Sequence, residues 1–232
     1  MQWKNIITRG ISEVFYLANR LSGYKKGFRI LLYHAIDTSV PHDSYGMTVR
    51  CEQFKRQMAA LAADRDVSIV DLQNILLSDD NLNVAITFDD GYRDNLYIAA
   101  PILLDHKIPF SVFVTVSLIE SNNPIYLTAA ELKRLASFDG VTIGSHGITH
   151  TPLAECDDSK LWRELNDSRY ILEDMIGKPV RAISYPHGSV NRRVRDAAVK
   201  AGYDIGVCSL FGINDPLRDP LLFKRTEILG RD

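Results

Sequence analysis

Two adjacent carboxylates, Asp89 and Asp90, directly follow the apolar run VAITF at positions 84–88 of this 232-residue chain. A single aspartate beside a glycine is common turn chemistry, but a pair needs a further reason. Successive side chains at the end of a strand point in different directions, so the two carboxylates can contact different atoms. One can bind a metal ion while the other accepts a proton from water, and Gly91 then lets the backbone turn.

Two histidines supply further ligands of the type that such a site needs. His146 and His150 lie in the segment SHGITHTPL at 145–153. Their spacing of four brings both imidazoles to one side of a helical turn, which alone is weak evidence for a metal. Two imidazoles and one carboxylate, however, form a ligand set of hydrolytic zinc sites, with one position open for water or substrate.

The elements that must position these residues alternate between short apolar runs and amphipathic stretches. This alternation predicts a largely parallel sheet with helices outside it, either closed as a barrel or open. Thr128 and Glu131 form a capping-box pattern at one helix start, and Gly177 and Pro179 should end the helix before them. The predicted strands are 28–34, 67–70, 83–88, 109–116, 141–146, 181–186 and 204–210, and the predicted helices include 51–64, 95–106, a long one within 157–176, and 192–202.

The titratable residues collect at the carboxyl ends of predicted strands, where α/β proteins bind their ligands. They are His34 after the first strand, Asp89 and Asp90, His146, and the segment Pro186-His187-Gly188. We therefore expect these residues to share one edge of the sheet.

Three segments, ITFDDGY at 86–92, SHGITHTPL at 145–153 and ISYPHG at 183–188, resemble the first three motifs of the polysaccharide deacetylase family, carbohydrate esterase family four. The resemblance extends from about residue 29 to the end of the chain. It implies a distorted (β/α)7-type barrel of mostly parallel strands. It also implies one divalent metal ion, which we expect to be zinc, with cobalt or nickel as alternatives.

The resemblance also implies roles for individual residues. Asp89 becomes the general base, and Asp90, His146 and His150 become the metal ligands. The backbone N–H of His187 would help to hold the oxyanion. We expect Tyr92 to line the cleft or to pack at the start of the next helix. The family's third motif implies that a further group lines the substrate groove, namely Tyr185, Pro186, His187 and Gly188.

Three departures from the family pattern matter for catalysis. Ser184 stands where the family often has an arginine that orients the base, so Arg225 is our candidate for that task.

The late Asp-x-Trp and Leu-x-His motifs are missing, and no histidine follows His187. A circularly permuted subset of the family carries the late histidine near the N-terminus in a YH context. RILLYHAI at 29–36 resembles that arrangement, which makes His34 the candidate general acid. If His34 is only a core residue, the chain could be a binding module.

Composition limits the partners. A formal net charge of −2 argues against a nucleic-acid surface, and three scattered cysteines suggest neither a disulfide framework nor a Cys-x-x-Cys metal site. We see no signal peptide and no transmembrane run, so we expect a cytoplasmic protein. Residues 1–25 show the spacing of an amphipathic helix, which would pack on the catalytic domain (26–232), on a partner subunit in a homo-oligomer, or on a membrane surface.

The family resemblance, taken together with these observations, implies a metal-dependent hydrolase of surface-polysaccharide biosynthesis. It would remove an N-acetyl group from an amino sugar of a polysaccharide or of its nucleotide- or lipid-linked precursor. Two alternatives remain open. One is a deformylase or other C–N amidase acting on a lipid-linked sugar, and the other is a glycan-binding pseudoenzyme without turnover.

Overall fold

The computed structural model describes residues 27–40, 43, 45–76 and 82–230. The amphipathic helix predicted within residues 1–25 lies outside these ranges.

Parallel strands form the centre of the molecule. The main sheet has the order β10-β1-β5-β6-β7-β8-β9, with β4 paired beside the start of β5, and every pair in it is parallel. A small parallel pair, β2 and β3, lies apart from it. The strands are β1 (Phe28–Tyr33), β2 (Ala35–Ile36), β3 (Thr48–Val49), β4 (Val67–Ile69), β5 (Leu82–Phe88), β6 (Phe110–Val114), β7 (Val141–Ser145), β8 (Ala182–Ser184), β9 (Ile205–Val207) and β10 (Thr226–Glu227).

The segment 223–228, which contains β10, contacts β9 at one end of the sheet and β1 at the other. The N–H of Phe223 donates to the Gly206 carbonyl at 2.9 Å on the β9 side, and the N–H of Ile228 donates to the Leu32 carbonyl at 2.9 Å on the β1 side. These contacts curl the sheet round on itself. The structure therefore confirms the predicted distorted barrel of mostly parallel strands.

Helices follow most strands, as the alternating pattern predicts. The capping box of Thr128 and Glu131 is confirmed, and Gly177 ends its helix at φ 69°, a left-handed conformation that glycine adopts without strain. Two π-helical turns, Asn95–Ala99 and Arg163–Asp167, interrupt the helical runs. Within the described ranges the α-helices are α1 (Cys51–Ala63), α2 (Ala100–Asp105), α3 (Val116–Glu120), α4 (Ala129–Ala136), α5 (Asp158–Trp162), α6 (Ser168–Ile176) and α7 (Arg192–Lys200).

Both faces of the sheet are buried, which is why its strands are apolar runs rather than alternating ones. Side chains of β1 alternate between the faces. Ile30 packs in the smaller cluster with Phe113 and Phe223, whereas Tyr33 packs in the larger cluster with Phe54 of α1. All seven residues of β5 are buried, so the strand that leads into the two aspartates is fixed along its whole length.

Among the helices of the described ranges, none has both the length and the apolar character that crossing a bilayer requires.

The capping box gives a test of the α4 start. Thr128→Ala should lower the free energy of unfolding by about 1 kcal/mol, because the hydroxyl that accepts the Glu131 N–H is lost. Thr128→Ser keeps that hydroxyl and serves as the control in urea unfolding. Equal losses in the two variants would contradict a stabilising role for the cap.

Candidate functional site

The parallel arrangement of the strands gathers the predicted site residues at one edge of the sheet. Asp89 and Asp90 follow β5, and His146 follows β7. β1 and β5 are paired so that Tyr33 lies opposite Phe88, and the Asp89 N–H donates to the Tyr33 carbonyl at 3.0 Å. His34, the residue after Tyr33, is therefore brought to the same edge.

Asp90, His146 and His150 form a compact group of possible metal ligands. Asp90 Oδ1 lies 3.6 Å from His146 Nε2 and 3.3 Å from His150 Nε2, and one ligand atom from each residue falls within 4.8 Å of the others. Asp90 Oδ1 is buried and has no hydrogen-bond partner among the residues that the structure describes. A divalent cation would supply the missing partner, so these three residues fit a metal ion by their chemistry and their placement.

The local backbone explains how these side chains converge. Asp90 has φ 74° and His150 has φ 55°, both in the left-handed region that non-glycine residues rarely adopt. Each of these residues therefore turns the chain sharply at the edge of the sheet. Such conformations persist where the surroundings hold them in place, as they do around binding sites.

The two imidazoles are held differently. His146 is 3% exposed, and its Nδ1 lies 2.7 Å from the Ser184 carbonyl, which fixes the ring with Nε2 toward Asp90. His150 is more open. Burial and the nearby His146 together lower the pKa of His150 to about 4, so the ring is neutral at pH 7 and able to act as a ligand.

Arg225 holds Asp89 with two parallel hydrogen bonds. Its Nη1 donates to Asp89 Oδ1 at 2.8 Å and its Nη2 donates to Oδ2 at 2.7 Å, with Arg225 only 1% exposed. Ser184 adds a hydroxyl that donates to Asp89 Oδ2 at 2.9 Å and accepts from Arg225 at 2.8 Å. The Asp89 carboxylate thus has a fixed orientation.

The charge environment keeps Asp89 ionised. Burial by itself would raise the pKa of Asp89, but the positive charge and hydrogen bonds of Arg225, with contributions from His146 and His34, outweigh it and hold that pKa well below its usual range. Asp89 Oδ2 also lies 3.8 Å from His146 Nε2, so the carboxylate borders the possible metal ligands.

His34 is 9% exposed, and its Nδ1 lies 4.0 Å from Glu227 Oε1. Its backbone is fixed by two residues that the motifs do not single out. Asn95 Nδ2 donates to the His34 carbonyl at 3.0 Å, and Asp94 Oδ2 accepts the Ile36 N–H at 2.8 Å. Burial raises the pKa of Asp94 to about 6. No spacing in the sequence indicates that Asp94 or Asn95 would contact this strand.

The predicted groove residues occupy different depths. Tyr185 is 0% exposed and packs in the core, Pro186 is buried as well, and Gly188 is half-buried. His187 is exposed, and its Nε2 lies 3.2 Å from the His150 carbonyl. Of the residues after β8, His187 and Gly188 therefore reach the rim of the site.

Tyr92, two residues after Asp90, is only 2% exposed. Its ring lies 5.0 Å from that of Tyr126. Burial and the Asp90 charge raise the pKa of Tyr92 above its usual range. Sequence reasoning missed the half-buried Tyr126, because its position on a loop carries no signal.

Known proteins share both the sequence pattern and the fold. A family model described as Polysaccharide deacetylase matches residues 78–206, more than half of the chain. YxkH of Bacillus subtilis (strain 168), a protein named for the same family, is 30% identical over 183 residues, which cover 77% of this chain and 63% of YxkH. The chain thus corresponds to less than two thirds of that relative's length.

Two solved structures illustrate the likeness of the fold. The Streptococcus pyogenes deacetylase PplD in complex with acetate superposes with a TM-score of 0.78 at 25% identity, covering 88% of this chain and 93% of that chain. BC0361, a polysaccharide deacetylase from Bacillus cereus, gives a TM-score of 0.77 at 24% identity over 89% of this chain and 66% of that chain.

The Asp89–Arg225 pair gives a test that needs no substrate. Arg225→Gln should lower the free energy of unfolding by roughly 3–5 kcal/mol, because it leaves the buried Asp89 charge without its main partner. Adding Asp89→Asn to that variant should recover part of the loss, since the amide carries no charge. Urea unfolding of both variants checks this. A double variant that is no more stable than Arg225→Gln would contradict it.

Proposed function

Because the chain belongs to the polysaccharide deacetylase family, we propose that it is a metal-dependent hydrolase that removes an N-acetyl group from an amino sugar. The observation that carries this proposal is the Asp90, His146 and His150 group, which lies against a second carboxylate, Asp89, held by Arg225. Two neighbouring aspartates in different environments suit a reaction that needs both a ligand and a base.

Asp90, His146 and His150 would hold the ion. Two imidazole nitrogens and one carboxylate oxygen suit zinc, and cobalt or nickel accept the same donors. When bound, a divalent ion supplies a Lewis acid that lowers the pKa of water and polarises an amide carbonyl. The protein's own residues then perform the proton transfers.

Asp89 is the proposed general base. Its carboxylate is ionised, is oriented by Arg225 and Ser184, and borders the ligand group, so it can accept the proton of the attacking water. Arg225 and Ser184 do not touch the reacting atoms in this mechanism. Their task is to hold the two carboxylate oxygens in one orientation throughout the reaction.

His34 is the proposed general acid, which protonates the departing sugar amine. Its place at the end of β1, beside the end of β5, supports this role, as does the Glu227 carboxylate 4.0 Å from its Nδ1. A position near the start of the domain is the one expected for the circularly permuted subset of the family. The N–H of His187, at the exposed end of the YPHG segment, is the proposed backbone donor to the oxyanion.

The substrate is proposed to be an amino sugar of a polysaccharide or of its nucleotide- or lipid-linked precursor. His187 and Gly188 would line its groove, while the buried Tyr92, Tyr185 and Pro186 support that groove from beneath. PplD is described in complex with acetate, which favours acetyl over formyl as the acyl group here. Membrane contact through residues 1–25 and assembly into a homo-oligomer stay predictions.

Exchanging each aspartate for its amide should separate the two carboxylate roles. Asp89→Asn should keep about one equivalent of bound zinc but lose roughly 10²–10⁴-fold in acetate release from N-acetylated sugar oligomers, because the base is lost. Asp90→Asn should lose the zinc as well as the activity. The measurements are metal analysis of the purified variants and an acetate assay. Near-normal turnover in Asp89→Asn, or full zinc content in Asp90→Asn, would contradict these roles.

Replacing His34 tests the general acid. His34→Gln should retain zinc and fold normally but release acetate more slowly, because the proton donor is gone. Glu227→Gln is the matched control, which keeps the imidazole and should show a smaller effect. An unchanged rate in His34→Gln would mean that His34 only supports the core.

A further inference from the structure

The loop between β7 and α5 has to turn back so that His146 and His150 meet on one side. Gly147 has φ 77° and His150 has φ 55°, so the chain reverses within four residues. The backbone N–H groups of Ile148 and Thr149 lie within this reversal, outside the strand ladder, and need acceptors.

Glu164 provides those acceptors. Its Oε2 accepts the Ile148 N–H at 2.7 Å and the Thr149 N–H at 3.0 Å, while its Oε1 accepts the Thr149 hydroxyl at 2.5 Å. Glu164 is 3% exposed. Within the part of the chain that the structure describes, no lysine or arginine forms an ion pair with it. A buried carboxylate without a cationic partner is costly, and here three donors from one loop compensate it.

The backbone around Glu164 is shaped to deliver it to this loop. Glu164 lies in the π-helical turn Arg163–Asp167, a type of turn that often occurs at functional sites. Ser168 Oγ donates to the Glu164 carbonyl at 2.6 Å and lies 2.8 Å from Ser145 Oγ, which in turn accepts the Gly147 N–H at 3.1 Å. The turn is thus tied to the first residues of the loop.

Gly147 is part of the same contact. A Cβ atom added there would lie 3.0 Å from Glu164 Oε2, tighter than ordinary contacts. The loop therefore closes onto the Glu164 carboxylate without room for a side chain at Gly147.

From these contacts we infer that Glu164 is a positioning residue of the metal centre, holding the 147–149 backbone so that His150 faces Asp90. This inference rests on the proposed metal site. Glu164 touches neither the possible ligand atoms nor the substrate edge, and it acts only through the loop. The effect expected of such a residue is on metal affinity, because groups that orient ligands typically change it by about 10–100-fold.

The test compares zinc affinity in three variants by competition with a chromophoric chelator. Glu164→Ala should bind zinc about 10–100-fold more weakly than the wild type. Glu164→Gln should bind nearly as tightly, because its amide oxygen can accept the two N–H groups and its NH₂ can donate to Thr149. Glu164→Asp, which keeps the charge but falls one methylene short, should be weakened and provides a second test if the alanine variant does not fold.

Glu173→Ala is the control for a merely structural effect. Glu173 Oε1 also accepts a backbone N–H, that of Val180 at 3.0 Å, but on the far end of α6. The Glu173→Ala variant should have a lower free energy of unfolding but wild-type zinc affinity. The cobalt-substituted proteins add a spectroscopic readout, in which the visible absorption of Glu164→Ala should differ from that of the wild type and of Glu173→Ala.

Several results would overturn the inference. Wild-type affinity in Glu164→Ala would do so, as would equal weakening in Glu173→Ala, or a glutamine variant as weak as the alanine variant. A wild-type protein that binds no zinc, cobalt or nickel would instead overturn the proposed function, so the two failures are distinguishable.

Discussion

The Asp89–Arg225 ion pair links the closure of the sheet to the arrangement of the site. Arg225 lies in the segment 223–228, which bonds to both β9 and β1. Just before β10 begins, the backbone N–H of Arg225 donates to the Leu210 carbonyl at 3.0 Å. The segment that closes the barrel therefore also brings the guanidinium to the end of β5. Removing either charge would leave the other buried without its partner, which is far more destabilising than losing an exposed pair.

The pair also gives the two adjacent aspartates different environments. Asp89 has two charged hydrogen bonds and a serine hydroxyl, so its orientation is fixed and its proton affinity is low. Asp90, one residue later, has a buried oxygen without a hydrogen-bond partner in the described part of the chain. A low pKa makes Asp89 a weak base in the ground state. In the proposed reaction the fixed position of Asp89 beside the ligand group offsets this weakness, and a bound ion would lower the pKa of the attacking water.

Much of the fold could be predicted because periodicity and strand ends are local signals. The order of strands and helices follows from apolar runs, and the rule that ligands bind at strand ends is enough to group the candidate residues. The observed ends of strands and helices differ from the predicted ones where a particular residue changes the local backbone. The strand predicted at 181–186 ends at Ser184, because Pro186 has no N–H to continue a ladder. The helix predicted within 157–176 contains a π-helical turn, which its apolar spacing does not reveal.

The contacts that complete the site could not be predicted in the same way. Arg225 and Asp89 are 136 positions apart, so no local spacing links them. The pair was suggested instead by Ser184, which stands where the family often has an arginine. Glu164, Asp94 and Asn95 act on neighbouring loops through backbone groups, and their sequence surroundings resemble those of ordinary helical residues. The core position of Tyr185 was likewise hidden, because a tyrosine beside a motif can face either the groove or the core.

The proposed chemistry depends above all on one divalent ion that joins Asp90, His146 and His150. The most direct measurement is anomalous diffraction at the zinc edge from crystals grown with zinc. We expect one strong peak at about 2.0–2.2 Å from Asp90 Oδ1 and from the Nε2 atoms of both histidines. A site without a peak, or a peak bound by other residues, would contradict the proposed metal centre.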